Sequence, residues 1–135
     1  TVRSQLRSRH LATHQNHPWF RLQPDLVLCD ASTPTAVLDT KWKLLDGSLA
    51  DSSNKYGLLQ SDFYQLFAYG QKYLEGNGEM FLVYPKHAYF AEPLPSFSFS
   101  DSLRLWVVPF DLQTDQILWP ADCAIPFKRV QEAAA

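Results

Sequence analysis

Four apolar runs predict β-strands, because each is bounded by turn residues and long enough for a buried strand. The predicted strands cover residues 20–28, 36–44, 80–84 and 103–110. Ser32, Thr33 and Pro34 predict a turn between the first two strands, which we therefore expect to form a hairpin. The run 80–84 is apolar throughout and is typical of a central strand.

The segment 61–75 has the clearest helical pattern in the chain. Asp62 is predicted to cap this helix, with Gln65 in the capping-box position, and Gly76 is predicted to end it. Residues 2–12 are also predicted to be helical. The apolar stripe of the main helix comprises Phe63, Leu66, Phe67, Gly70, Tyr73 and Leu74.

The order helix, strand, strand, helix, strand, strand predicts an α/β fold with a mixed central sheet flanked by helices. Residues 49–59 are predicted to be a loop. A length of 135 residues favours a single domain, which we place at 1–132. The chain begins at Thr1 and ends in three alanines, 133–135, so we expect a piece of a longer protein with a linker tail.

The composition predicts a folded protein that does not enter a membrane. Apolar residues make up 46% of the chain and aromatic residues 14%, which is enough for a hydrophobic core. No run reaches the roughly 18 to 20 apolar residues of a membrane span. Cys29 and Cys123 are too few for a disulfide framework, so we expect a buried thiol at Cys29 and a cytoplasmic location.

The formal net charge of −2 conceals a basic first segment. Residues 1–24 contain no Asp or Glu. A basic segment beside a phosphate-binding site would attract nucleic acid, although a solvated charged surface is the simpler interpretation. The arginines of this segment are Arg3, Arg7, Arg9 and Arg21.

Two acidic motifs stand inside the predicted hairpin. Asp25 follows Pro24, and Asp39 is followed two residues later by Lys41. Side chains two apart on a strand share a face, so Asp39 and Lys41 lie together, and the hairpin can bring Asp25 beside them. The alternative is a surface ion pair of little energetic value.

Two carboxylates in one small volume suit Mg²⁺, and the Thr40 carbonyl is a further candidate ligand. A bound metal would lower the pKa of its water and shield phosphate charge. Lys41 could position that water and stabilise a pentavalent transition state, or act as a general base with a depressed pKa. The sequence leaves these two roles of Lys41 open.

Gln65 and Tyr69 are four residues apart and therefore lie one above the other on the predicted helix. Both fall away from the centre of the apolar stripe, so they could hold a phosphate at the acidic end of the sheet. The alternatives are a capping role for Gln65 and partial burial for Tyr69.

The combined motifs resemble the PD-(D/E)XK nuclease superfamily, and the glutamine–tyrosine pair resembles the QxxxY motif of its RecB-like branch. Across residues 9 to 85 the chain resembles McrC, the nuclease subunit of McrBC restriction systems, which cut DNA carrying modified cytosine. The strings that carry this resemblance are Arg21-Leu22-Gln23-Pro24-Asp25, Leu38-Asp39-Thr40-Lys41-Trp42-Lys43 and Asp62-Phe63-Tyr64-Gln65-Leu66-Phe67-Ala68-Tyr69.

The resemblance implies a Mg²⁺-dependent DNA endonuclease, with Mn²⁺ as a substitute metal. Asp25 and Asp39 would then bind the metal, Lys41 would be the catalytic lysine, and Gln65 and Tyr69 would be accessory active-site residues. Related nucleases often add an acidic residue on the first helix, and here none precedes Asp25. The expected DNA-binding residues are Arg3, Arg7, Arg9, Arg21 and Lys43.

The resemblance also implies a partner, the McrB AAA+ GTPase, engaged through a region that this chain lacks. The competing hypotheses are another RecB-like DNA exonuclease and a catalytically silent scaffold that binds DNA or the GTPase. A zinc site is a third alternative, since His10 and His14 have helical i, i+4 spacing with His17 close by.

Overall fold

A computed structural model of the protein describes residues 1–4 and 9–123. The one α-helix of these residues, α1, spans Gln60–Leu74, and a short 3-10 helix spans Lys55–Gly57 within the predicted loop 49–59. The strands are β1 (Val2–Ser4), β2 (His10–His14), β3 (His17–Arg21), β4 (Leu26–Asp30), β5 (Thr33–Thr40), β6 (Gly78–Pro85), β7 (Phe97–Ser98), β8 (Leu103–Asp111) and β9 (Gln116–Ile117).

Seven strands form one mixed sheet in the order β1-β4-β5-β6-β8-β7, with β9 also paired to β8. The strands β5, β6 and β8 are parallel, and the other pairs in the sheet are antiparallel. The predicted α/β class with a mixed central sheet is confirmed. The predicted central strand is also confirmed, because β6 lies between β5 and β8 and is buried over most of its length.

Strand alternation divides the core into two layers. Val37 of β5 and Leu82 of β6 pack on the same side as α1, while Leu38 and Phe81 pack on the opposite side. The expected pair of flanking helices is therefore wrong for the described residues, in which α1 covers one face. Trp119 and Cys123 pack against the other face.

The predicted helix at residues 2–12 is wrong. Within the described residues this region contains β1, which pairs with β4, and β2, which pairs with β3. Gln15 and Asn16 at the tip of the β2–β3 hairpin both have positive φ, which is the geometry of a tight two-residue hairpin turn. This pairing between strands overrides the weak helical preference of the segment.

The predicted hairpin is confirmed, but its strand bounds differ. Residues 22–25 interrupt the predicted strand 20–28 between β3 and β4, because Pro24 lacks the N–H that a paired strand donates. The second strand ends at Thr40 rather than at residue 44. Both changes leave Asp25 and Lys41 just outside regular strands, where their side chains are less constrained by pairing.

Helix α1 begins earlier than predicted, and its predicted cap is wrong. Leu59 occupies the N-cap position without a side-chain hydrogen bond, and Asp62 lies in the first turn. The buried stripe also differs, because Tyr69 is 2% exposed whereas Phe67 is 49% exposed. Tyr69, which the sequence pattern predicts on a polar edge of the helix, is therefore part of the hydrophobic core.

Gly70 allows α1 to approach the sheet closely. A Cβ atom at this position would lie 2.8 Å from both Leu103 Cδ2 and Met80 Sδ. Leu103 and Met80 are fully buried, so neither side chain has free space to move into. The absence of a side chain at Gly70 thus sets the distance between helix and sheet.

We expect Gly70→Val to lower the free energy of unfolding by about 2 kcal/mol or more, because the overpacking of this contact outweighs the small gain in helix propensity of valine over glycine. Urea denaturation measures the change. Gln71→Val is the matched control, because the side chain it replaces is exposed and the loss should be a few tenths of a kcal/mol. Equal losses in the two variants would contradict the close packing.

Candidate active site

The candidate site lies where the end of β5 faces the first turns of α1. Asp39 is on the helix side of the sheet, in the same alternation as Val37, and its side chain is 6% exposed. Lys41 follows two residues later, and its Nζ lies 2.8 Å from Asp39 Oδ2. The predicted shared face of Asp39 and Lys41 is therefore confirmed, even though Lys41 lies beyond the last strand residue.

The Lys41 ammonium also contacts the helix. It donates a 2.8 Å hydrogen bond to Gln65 Oε1 and lies 3.5 Å from Asp62 Oδ1. Asp62 and Gln65 are three residues apart and so occupy neighbouring positions on one side of α1. Lys41 thus joins the sheet to the helix through three polar contacts.

A hydrogen-bond chain continues from Gln65 to the segment before β4. Gln65 Nε2 lies 2.9 Å from the Tyr69 hydroxyl, which in turn donates to the backbone carbonyl of Gln23 at 3.2 Å. Gln23 is two residues before Asp25. The predicted pairing of Gln65 with Tyr69 is confirmed, and the same chain fixes the backbone that carries Asp25.

Asp25 is held at the end of β5 by Thr40. Asp25 Oδ2 accepts hydrogen bonds of 2.7 Å from both the backbone N–H and the hydroxyl of Thr40. The Asp25 N–H donates a long bond of 3.4 Å to Asp39 Oδ1. The structure therefore brings the two predicted carboxylate residues together, with the Asp25 carboxylate directed toward Thr40.

The Asp39 carboxylate is poorly solvated and lies between opposing charges. Burial raises the pKa of Asp39, and the Lys41 hydrogen bond and charge oppose that rise, whereas the nearby Asp25 charge adds to it. The net direction is upward from the usual value. A buried carboxylate of this kind gains from any cation placed beside it.

Lys41 remains a cation. Burial acts to lower its pKa, but the hydrogen bond and charge of Asp39, with the charge of Asp62, raise the pKa of Lys41 above its usual value. The depressed pKa that a general base would need is absent in this arrangement of side chains.

Two tyrosines on the helix side of the sheet stay protonated. Burial and the Asp39 charge raise the pKa of Tyr69 to about 12. Burial and the charges of Asp62 and Asp39 raise the pKa of Tyr84. The Tyr84 hydroxyl is buried and lies beside Asp62 without hydrogen-bond geometry to any described residue.

The donor set suits a hard divalent cation. Asp25 and Asp39 offer carboxylate oxygens at one strand end, and magnesium commonly binds through one or two protein carboxylates and several waters. No cluster of three or more His, Cys, Asp or Glu side chains with metal-binding geometry occurs within residues 1–4 and 9–123. A dedicated protein cage is therefore absent from that part of the chain, and Thr40 as a carbonyl ligand stays a prediction.

The expected DNA-binding residues are only partly in the described structure. Arg3, Arg9 and Arg21 are exposed, and the Arg9 guanidinium lies 5.9 Å from the centre of the Tyr73 ring. Lys43 is exposed and donates a hydrogen bond to the Gly57 carbonyl. Arg7 lies outside the described residues.

The geometric basis of the zinc alternative is wrong. His10 and His14 lie on a strand rather than on a helix, so their spacing of four does not bring them to one face of a helical turn. His14 is paired with His17 across the hairpin, whereas His10 is paired with Arg21.

Two further expectations concern sulfur and membranes. Cys29 and Cys123 are both buried free thiols, as expected for Cys29. Within the described parts of the chain, no helix is long and apolar enough to span a membrane.

Sequence reasoning missed two residues at this site. The sequence pattern predicts Asp62 as a helix cap. Asp62 lies one turn before Gln65 and so on the same side of the helix, and this spacing could have indicated its place at the site. Tyr84 was interpreted as a core residue of the central strand. The parallel register, in which Thr40 is paired with Val83, places Tyr84 beside Lys41 and could not be read from the sequence.

Lys41→Met should lower the free energy of unfolding by about 1–3 kcal/mol at pH 8, because it leaves the buried Asp39 carboxylate without its cation. Since the pKa of Asp39 is raised in the folded protein, the folded state binds a proton at the Asp39 carboxylate more tightly than the unfolded state does. The free energy of unfolding therefore falls as pH rises through the folded pKa of Asp39. The difference in this free energy between Lys41→Met and the unaltered protein should become smaller as the pH is lowered. Urea denaturation from pH 4 to pH 8 without divalent metal measures it.

Two variants control this measurement. Lys72→Met removes an exposed lysine from α1 and should change stability by less than about 0.5 kcal/mol. Asp39→Asn combined with Lys41→Met removes the buried carboxylate, so the free energy of unfolding of this double variant should lack the pH dependence that Asp39 gives to Lys41→Met. A pH-independent deficit in Lys41→Met alone would show that Asp39 is not the affected group.

Comparisons with known proteins bear on the fold and on the family of the chain. No curated protein matches the chain. A chain in a solved structure, described as a refined half-complex from a tetradecameric assembly of Thermococcus gammatolerans McrB AAA+ hexamers with bound McrC, matches with a TM-score of 0.52 and 18% identity. The match covers 85% of this chain and 26% of that chain, so this chain spans about a quarter of its structural relative.

A match to a protein family is evidence of a sequence relationship, which this similarity of fold alone does not provide. The family described as McrBC 5-methylcytosine restriction system component matches residues 1–85, which include both acidic motifs and all of α1. The predicted resemblance is thereby confirmed, and the chain belongs to the McrBC 5-methylcytosine restriction system component family.

Proposed function

We propose that this chain is the metal-dependent DNA-cleaving part of an McrC-type subunit, with a PD-(D/E)XK nuclease site. The observation that carries the proposal is the network that joins Asp25, Asp39, Lys41, Gln65 and Tyr69. These are the residues of three separate motifs, and the first and the last lie 44 positions apart in the sequence. A structural ion pair alone would not require the whole set.

Asp25 and Asp39 would hold Mg²⁺, with Thr40 as a further ligand and Mn²⁺ as a substitute metal. The fit rests on the all-oxygen donor set and on the buried Asp39 carboxylate, which is destabilised as an anion. When bound, the metal supplies a water of lowered pKa and shields charge on the phosphate. The cytoplasmic location expected from the cysteines agrees with a DNA substrate.

Lys41 would act as a fixed cation rather than as a base. Its raised pKa keeps the ammonium charged at neutral pH. Charge builds up on phosphate oxygens during hydrolysis, and a preorganised cation stabilises that charge without reorganising at the moment of reaction. Gln65 holds the ammonium in place, and Tyr69 holds Gln65.

The partner would be an McrB-type AAA+ GTPase, because the structural relative is part of an assembly of McrB AAA+ hexamers with bound McrC. Only a quarter of that relative is spanned by this chain, so the contacts to such a partner would lie largely elsewhere. The GTPase would then recognise modified DNA and translocate it, while this domain cuts with little sequence preference.

Asp39→Asn should reduce Mg²⁺-dependent plasmid cleavage by the full-length protein and its GTPase at least 100-fold. The reason is that Asp39 would hold the metal, and loss of a cation or donor that stabilises transition-state charge commonly costs about 100- to 1,000-fold in rate. Lys41→Ala should reduce the cleavage rate by a factor of the same order. Gel analysis of nicked and linear plasmid in Mg²⁺, Mn²⁺ and EDTA measures these effects.

Asp30→Asn is the matched control, because Asp30 is an exposed carboxylate at the other end of the same hairpin. Its activity should equal that of the unaltered protein. Equal cleavage by Asp39→Asn and the unaltered protein would show that the proposed nuclease site is wrong. Cleavage only from free DNA ends would instead favour an exonuclease, and DNA binding without cleavage would favour a silent scaffold.

Arg21→Ala should weaken DNA binding and reduce the slope of log affinity against log salt by about 1, the value expected for one lost phosphate contact. Arg21 is exposed and lies two residues before Gln23, whose carbonyl accepts the Tyr69 hydrogen bond. Fluorescence anisotropy with an Asp39→Asn background measures binding without cleavage.

Lys72→Ala is the control for this measurement, because Lys72 is an exposed cation near the far end of α1. Its salt slope should match that of the Asp39→Asn background. An unchanged slope in Arg21→Ala would remove Arg21 from the proposed DNA surface.

A further inference from the structure

Asp62 is a third carboxylate at the candidate site, and neither the motifs nor the proposed function gives it a role. Its Oδ1 lies 3.5 Å from Lys41 Nζ, and its side chain is 17% exposed. It is contributed by the first turn of α1, whereas Asp39 is contributed by β5. The ammonium is therefore held between an acid from the sheet and an acid from the helix.

The three contacts of Lys41 match the donor capacity of an ammonium. Lys41 Nζ has three N–H donors, and its neighbours are Asp39 Oδ2 at 2.8 Å, Gln65 Oε1 at 2.8 Å and Asp62 Oδ1 at 3.5 Å. Asp62 and Gln65 belong to one rigid helix, so their positions are coupled. Together they contact the lysine from the helix, whereas Asp39 contacts it from the sheet.

A cation at Asp25 and Asp39 would share the Asp39 carboxylate with Lys41. The attraction between Lys41 and Asp39 would then weaken, because part of the negative charge is already neutralised. Asp62 is a separate carboxylate whose attraction for the ammonium does not depend on Asp39. It can keep the lysine in place in the state in which the proposed reaction occurs.

Tyr84 supplies an independent observation. Its ring is fully buried against Phe90, and its hydroxyl has no hydrogen-bond partner among the described residues. The charge that acts most strongly on this phenol is the carboxylate of Asp62. Asp62 therefore lies beside both the Lys41 cation and a buried hydroxyl group.

We infer that Asp62 is a positioning residue that holds the Lys41 ammonium from the helix side while Asp39 binds the metal. The inference rests on the proposed nuclease function. Asp62 acts through Lys41 and does not itself bind the metal.

The test compares Asp62→Asn and Asp62→Glu in the full-length protein with its GTPase, using Mg²⁺-dependent plasmid cleavage. Asp62→Asn should slow cleavage about 10- to 100-fold at saturating Mg²⁺, as expected when a catalytic group is displaced by about 1 Å. Asp62→Glu keeps the charge and should recover much of the rate. The Mg²⁺ concentration at half-maximal rate should not change.

A double variant separates positioning from a general structural effect. If Asp62 acts through Lys41, Asp62→Asn combined with Lys41→Ala should be no slower than Lys41→Ala alone. A merely structural loss would multiply with the loss from Lys41→Ala. Glu75→Gln, which neutralises an exposed acid at the other end of α1, should leave the rate unchanged.

Metal binding gives a readout that does not depend on activity. Mn²⁺ titration followed by electron paramagnetic resonance should show one affinity for the unaltered protein and for Asp62→Asn, and a weaker affinity for Asp39→Asn. Weaker Mn²⁺ binding by Asp62→Asn would overturn the inference by making Asp62 a ligand. A full cleavage rate in Asp62→Asn, while Asp39→Asn is inactive, would also overturn it.

Failure of the proposed function has a different signature. In that case the unaltered protein and Asp39→Asn would cleave DNA equally, and the inference about Asp62 would fall with the site. A double variant that is slower than Lys41→Ala in an otherwise active protein would leave the nuclease function standing and refute only the positioning role.

Discussion

The site depends on the position of one ammonium group between a strand and a helix. Alternation along β5 places Asp39 on the side of the sheet that α1 covers, where solvation of its carboxylate is poor. A buried carboxylate needs a cation, and a partly buried cation needs acceptors. Lys41 meets the first need, and Gln65 and Asp62 meet the second. The polar contacts between sheet and helix thus follow from the burial of one charge.

Local periodicity accounts for the parts of the site that were predicted from the sequence. The spacing of two between Asp39 and Lys41 and the spacing of four between Gln65 and Tyr69 each determine a shared face within one element. The meeting of these two pairs depends on the packing of α1 against β5, which no local pattern contains. Gly70 controls that packing, because it lets the helix approach Leu103 and Met80 closely.

The wrong predictions share a physical cause. Asp62 has the sequence context of a capping residue, but helix α1 begins two residues before Asp62. The Asp62 side chain therefore does not cap the helix and lies beside Lys41. Residues 2–12 are predicted to be helical, yet cross-strand pairing makes the described part of this segment the strands β1 and β2. In both cases a contact with a distant residue has more influence than the preference of the local segment.

The two oxygens of Asp39 divide its contacts in a way that bears on the role of Lys41. Oδ2 faces the ammonium, whereas Oδ1 faces the backbone N–H of Asp25. Where Asp25 and Asp39 hold a metal as proposed, Gln65 and Asp62 would still contact Lys41 from the helix. Gln65 accepts a hydrogen bond from the Lys41 ammonium and Asp62 lies 3.5 Å from it, so neither contact depends on Asp39. In the proposed nuclease site, a lysine held in this way would stabilise charge on the phosphate rather than abstract a proton from water.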